Sequence, residues 1–137
     1  MLPILLPFIT LITGRQKNGL PTWVSQDCSN LTNTNLSRYK LRNVQLPRAD
    51  LYQTLLKKTD LSGANLQGAY LVRANLSGAK LVGANLQEAN LRDANLEGAD
   101  LSNANLKFAI FDKNTVLPFS KEEALERGMI ENEHRFE

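Results

Sequence analysis

From Leu31 to Leu106 every fifth residue is leucine, sixteen in succession, and Phe111 extends the series as a seventeenth apolar position. No straight element accommodates a period of five. On an α-helix five residues overshoot a full turn by about 140°, so the leucines would scatter around the cylinder. On a flat strand an odd spacing sends alternate leucines to opposite faces. All of them can point one way only if the backbone turns a corner within every unit. Repeated corners wind the chain into a coil, and each unit then buries its leucine only against neighbouring coils.

The flanking positions keep the same period. Two residues before the central position stands alanine ten times without exception, from Ala64 to Ala109. The residue just before it is usually Asn or Asp, as in Asn65, Asn75, Asn85, Asn90, Asn95, Asp100 and Asn105. Gly63, Gly68, Gly78, Gly83 and Gly98 all fall two residues past a leucine, a turn position where positive φ suits glycine. Pro47, one residue past Leu46, fits a corner that needs a fixed φ. Leucine and the small residue face inward, and the other three positions face out.

Units such as Ala64-Asn65-Leu66-Gln67-Gly68 and Ala94-Asn95-Leu96-Glu97-Gly98 resemble the A(D/N)LXX motif of the pentapeptide-repeat family. The resemblance covers residues 29–113. It implies an all-β solenoid, a right-handed quadrilateral β-helix of about four coils with one unit per side. At a strand spacing of roughly 4.8 Å such a rod is about 20 Å long.

Further expectations follow from this register. In the early units the small-residue position reads Ser29, Thr34, Tyr39, Val44, Ala49, Thr54 and Thr59, and no glycine occupies the turn before Gly63. That predicts that the first coil bulges at Tyr39 or opens into the N-terminal segment, and that the first half is less regular. Four units per coil stack Lys40, Asp60, Lys80 and Asp100 in one column of alternating charge. Arg73, Asp93 and Lys113 form another, and Arg92 lies under Asp112. Exposed pairs of this kind contribute a few tenths of a kcal/mol each and serve register and solubility.

The chain divides into an apolar N-terminal segment leading into the solenoid (1–28), the repeats (29–113), a C-terminal capping segment (114–130) and a frayed acidic tail (131–137). In the capping segment Ser120 with Glu123 reads as a capping box, and Gly128-Met129 as a helix stop. The short helix is expected to lay Leu117, Phe119, Leu125 and Met129 over the last coil. The wording from Leu117 to Met129 also resembles endings of cyanobacterial members of the family, which implies a cyanobacterial source. Leu2–Thr13 is strongly apolar but too short for a membrane span of about 20 residues. The first charged residue is Arg15, so the stretch lacks the basic start of a signal peptide. It reads as a cap over the first coil, a tether to a membrane surface or partner, or an unstructured extension.

Composition limits the chemistry. The chain has 16 basic and 14 acidic residues, so net charge selects no partner. Its single cysteine, Cys28, and single histidine, His134, lie at opposite ends. That excludes an internal disulfide and leaves no zinc spacing or Cys–His couple. No P-loop or GxSxG occurs. We expect no catalytic residues, no cofactor and no metal, and a cytoplasmic scaffold for a protein partner, with peripheral membrane attachment through residues 2–13 as the alternative. A homodimer is left open.

Two surfaces stand out. One is a candidate partner face with Tyr52, Tyr70, Val72 and Arg73, joined by Ile110, residue types that interface cores favour. The other is a basic patch of Arg38, Lys40, Arg42, Arg48, Lys57 and Lys58. Some relatives in the resembled family mimic DNA and act on gyrase, which requires an acidic rod. Residues 29–113 carry eleven basic and seven acidic side chains, which disfavours that alternative. Nucleic-acid binding is disfavoured too, because only Tyr39 and Tyr52 interleave with the basic residues.

Overall fold

The computed structural model describes residues 30–133. Its backbone is a parallel ladder with a step of 20 residues. Asn30 pairs with Asp50, Asn35 with Leu55 and Lys40 with Asp60, and the series runs on to Asn90 with Ile110. Four five-residue units therefore fill one rung. The units form four stacks, begun by Leu31, Leu36, Leu41 and Leu46, and the first runs Leu31, Leu51, Leu71, Leu91, Phe111.

The step arises from a turn repeated in every unit. The N–H three residues past the leucine donates to the leucine carbonyl, as from Ala64 to Leu61 and from Ala69 to Leu66, both at 3.0 Å. The residue between has positive φ in all sixteen units from Asn33 to Phe108, five of them glycine and eleven not. Positive φ at the second central position alone defines a type II turn, and Pro47 occupies the first, as expected. Where Asn or Asp precedes the leucine, its side chain ties the turn from outside. Asn75 Oδ1 accepts from Ser77 N–H at 3.0 Å and Asn95 Oδ1 from Glu97 N–H at 2.9 Å.

The first half is as regular as the second, contrary to expectation. Asn33, Arg38, Asn43, Arg48, Gln53 and Lys58 take φ of 55° to 66° without glycine. A left-handed residue costs roughly 1–2 kcal/mol, and the rung hydrogen bonds on either side offset it. Nor does Tyr39 bulge. Its N–H donates to Leu36 at 3.3 Å, its carbonyl accepts from Asp60 at 3.0 Å, and its side chain packs half-buried on the core.

Inside, the leucines form apolar columns, with Leu66, Leu71, Leu76 and Leu86 fully buried. Thr54 and Thr59 are buried as well, and their hydroxyls donate to the carbonyls of Leu31 and Leu36 in the preceding rung at 2.8 Å. A threonine thus replaces alanine without leaving a buried polar group unpaired.

The unit of Phe111 is one residue longer than the rest. Asn95 pairs with Val116, 21 residues on, and Thr115 takes the place Thr54 and Thr59 hold, its hydroxyl 2.9 Å from the Leu91 carbonyl. Asp112 closes the enlarged turn. Its Oδ1 accepts from the N–H groups of Asp93 and Asn114, each at 3.1 Å, and lies 2.9 Å from the Thr115 hydroxyl. Lys113 consequently leaves the positive-φ position that Arg73 and Asp93 occupy.

Strand β1 (Ile110–Phe111) pairs in parallel with β2 (Ile130–Glu131). Between them lies helix α1 (Lys121–Glu126), whose N-cap Ser120 accepts from Glu123 N–H at 3.2 Å. Gly128 ends that turn with φ of 85°. Met129 is buried, and Leu117 and Phe119 pack partly on the core. Leu125 is 47% exposed, against expectation, and Ala124 is buried in its stead. Only a small side chain lets so short a helix approach the end of the core. The tail also departs from the fraying expected of 131 onward. Glu131 lies in β2 with its carboxylate 2.6 Å from Lys121 Nζ, and Asn132 N–H donates to Phe111 at 2.7 Å. No helix among the described residues is long and apolar enough to cross a membrane. The readings of residues 1–28 lie outside the described residues, as do residues 134–137.

Candidate functional site

The 20-residue register builds one aromatic and charged cluster on the outside of the first stack. Tyr52 follows Leu51 and Tyr70 precedes Leu71, so adjacent rungs bring the two rings together. Their centroids are 6.2 Å apart and their planes 28° from parallel. Arg73, two residues past Leu71, donates from Nη1 to the Tyr52 hydroxyl at 3.2 Å, and its Nε lies 3.8 Å from Asp93 in the next rung. Tyr70 is 39% exposed and Tyr52 half-buried. One predicted member does not reach the surface. Val72 is 6% exposed, because the register sets it between the larger Tyr52 and Arg92 in its own column. Ile110 is half-buried two rungs beyond Tyr70. Asp93, which the sequence placed only in a charge column, belongs to the cluster through Arg73.

The basic residues are distributed over three stacks. Arg38, Lys57 and Lys58 share the second, Lys40 and Arg42 belong to the third, and Arg48 lies on the fourth. Arg42 pairs with Asp60 at 3.5 Å. Arg48, with Pro47, Gln67, Gly68 and Glu88, lines an open groove of about 360 Å³.

The perturbed carboxylates serve the turns. Burial pushes Asp60 up, but the Ser62 hydroxyl and N–H and the nearby Arg42 hold it below the ordinary value. The Ser62 hydroxyl donates to Asp60 at 2.7 Å. In Asp100 the Ser102 hydroxyl and N–H likewise lower the carboxyl. For Asp112 burial again acts upward, and the donors from Asp93, Thr115 and Asn114 outweigh it. General acid–base work at neutral pH calls for a carboxyl tuned upward; these three are tuned downward. Among the described residues no group of His, Cys, Asp or Glu could hold a metal ion.

A family model described as pentapeptide repeats matches residues 29–68 and 69–107. The chain is similar in structure to alr5209, a pentapeptide repeat protein of Nostoc, at 31% identity and a TM-score of 0.76, covering 93% of this chain and 94% of that one. It is also similar to a pentapeptide repeat protein of the Arabidopsis thaliana thylakoid lumen, at 28% identity and a TM-score of 0.47 over 71% and 72% of the two chains. Rfr23 of the cyanobacterium Cyanothece matches at 42% identity and a TM-score of 0.35 over 64% and 59%. No curated protein matches the sequence.

Proposed function

Because this chain belongs to the pentapeptide repeat family, we propose that it is a non-enzymatic scaffold binding a protein partner through the outside of its first stack. The parallel step of 20 residues and the turn in every unit support a right-handed quadrilateral β-helix of about four coils. In this reading residues 29–113 form the β-helix and 114–130 its C-terminal cap with the short α-helix. A cytoplasmic setting suits a chain whose one cysteine needs no oxidising compartment.

One observation supports the binding reading: the Tyr70–Tyr52–Arg73–Asp93 chain of contacts on the surface. Tyrosine and arginine dominate the energetics of protein interfaces. Here their side chains are held by one another before any partner arrives. Ordering a free side chain on binding costs about 0.5–1.5 kcal/mol, so the pre-formed cluster lowers that cost. The rod interior is filled by Leu and Ala, which favours recognition on outer surfaces over chemistry in a cavity. DNA mimicry is disfavoured by eleven basic against seven acidic residues over 29–113.

The test is quantitative capture by the full chain, comparing wild type with Tyr70→Ala plus Arg73→Asn. Asparagine tolerates the positive φ of Arg73, so the fold should persist. A partner bound through this face should lose roughly tenfold or more in affinity, with the melting temperature retained. A partner held equally by the double variant would contradict the reading.

A further inference from the structure

We propose that the second stack carries a contact for an anionic membrane surface, formed by Arg38, Lys57 and Lys58 at the N-terminal end of the rod. In two columns of the other stacks the 20-residue register places opposite charges over one another. Lys40, Asp60, Lys80 and Asp100 alternate along one ladder, and Arg73 pairs with Asp93. The second stack breaks that rule. Arg38 sits one rung from Lys58 at the same turn position, with Lys57 beside it; their column continues as Gly78 and Gly98, and the repeat units of this stack hold one carboxylate, Glu97, two rungs beyond Lys57. Adjacent rungs are about 4.8 Å apart, so the column holds like charges close together. All three cations are exposed, and none of the ion pairs among the described residues involves them.

What would neutralise such a column is a flat array of negative charge. The surface beyond Lys58 carries no side chain in this column, because Gly78 and Gly98 follow it. It is also partly apolar. Leu55, in the ladder between Asn35 and Asn75, is 43% exposed in the same stack. Long basic stems lie along apolar surface while their charges reach a polar boundary. Arg38 belongs to the rung that Asn30 begins. The sequence ahead of it holds the apolar run Leu2–Thr13 followed by Arg15 and Lys17. A single acyl chain gives only weak, reversible membrane binding, and a polybasic patch is a second signal that stabilises such binding. No aromatic side chain accompanies the three cations in their units, so the stacking platform that single-stranded nucleic acid needs is missing. This surface is separate from the tyrosine face and does not depend on it.

The experiment is flotation of the full chain with vesicles of phosphatidylcholine alone and of phosphatidylcholine mixed with phosphatidylserine. The test variant is Arg38→Asn, Lys57→Ser, Lys58→Asn, chosen because asparagine accepts the positive φ at 38 and 58. Lys80→Ser, Lys107→Ser, Lys113→Ser removes the same net charge from other stacks. We expect wild type and the control triple to float with the anionic vesicles. The test variant should lose on the order of 100-fold in partitioning, from about fivefold per cation near an anionic surface. High salt should weaken wild type in the same direction. Equal binding to both vesicle types, equal loss in the two triples, or no flotation of wild type would each overturn the proposal. So would duplex DNA binding that depends on the three cations in the absence of vesicle binding.

Discussion

At the residue scale the turn position two past each leucine carries most of the information. Five glycines mark it in the sequence, but eleven other residues hold the same backbone conformation. Glycine is therefore favoured there and not required. Gly83 separates the two contributions, because a Cβ built on it meets nothing within 4 Å. Gly83→Val should destabilise by about 1–2 kcal/mol through backbone strain alone, read as a lower melting temperature. Gln53→Gly, at φ of 55°, should leave stability unchanged or raise it. A neutral Gly83→Val would mean that the stacked rungs do not impose this turn. The sequence also overstated Tyr39. An aromatic at the small-residue position looked too large, yet it packs half-buried with its backbone hydrogen bonds in register.

At the element scale the departures gather at the C-terminus. Asn114-Thr115-Val116-Leu117-Pro118 looks like one more unit in frame, with Val116 five residues past Phe111. Only the pairing of Asn95 with Val116 shows the extra residue. A signal was present in Thr115 and Leu117, a polar small residue and an apolar one spaced like Thr54 and Leu56 but one position late. Strand β2 was not legible, since two residues carry no periodicity. The enlarged turn depends on Asp112, which is 8% exposed. Its carboxyl is held below the ordinary 3.8 once hydrogen bonds outweigh burial. The ionised form therefore stabilises the fold above the ordinary carboxylate range, and that contribution disappears as pH falls through the lowered folded-state value. Wild type should lose more stability than Asp112→Asn between about pH 6 and pH 3. Parallel acid curves would deny Asp112 this role.

At the scale of the molecule the leucine period alone led to the coil, and adding the 20-residue rung led to Tyr52 beside Tyr70 and to Arg73 above Asp93. Burial of Val72 escaped that reasoning. A register gives neighbours in a column but not how far their larger side chains extend over a smaller one. The spread of the basic residues over three stacks follows from the same register once each is assigned to its leucine.

The stacking of residues 20 apart is tested most directly by engineered disulfides. A pair of Cα partners in neighbouring rungs lies within the roughly 4.4–6.8 Å that a disulfide spans. In a Cys28→Ser background, Asp60→Cys with Lys80→Cys, which are bridge partners, should oxidise to an intramolecular crosslink whose melting temperature is no lower than that of the same variant reduced. Asp60→Cys with Asn75→Cys should remain reduced under the same conditions. Crosslinking of the second pair and not the first would contradict the 20-residue rung.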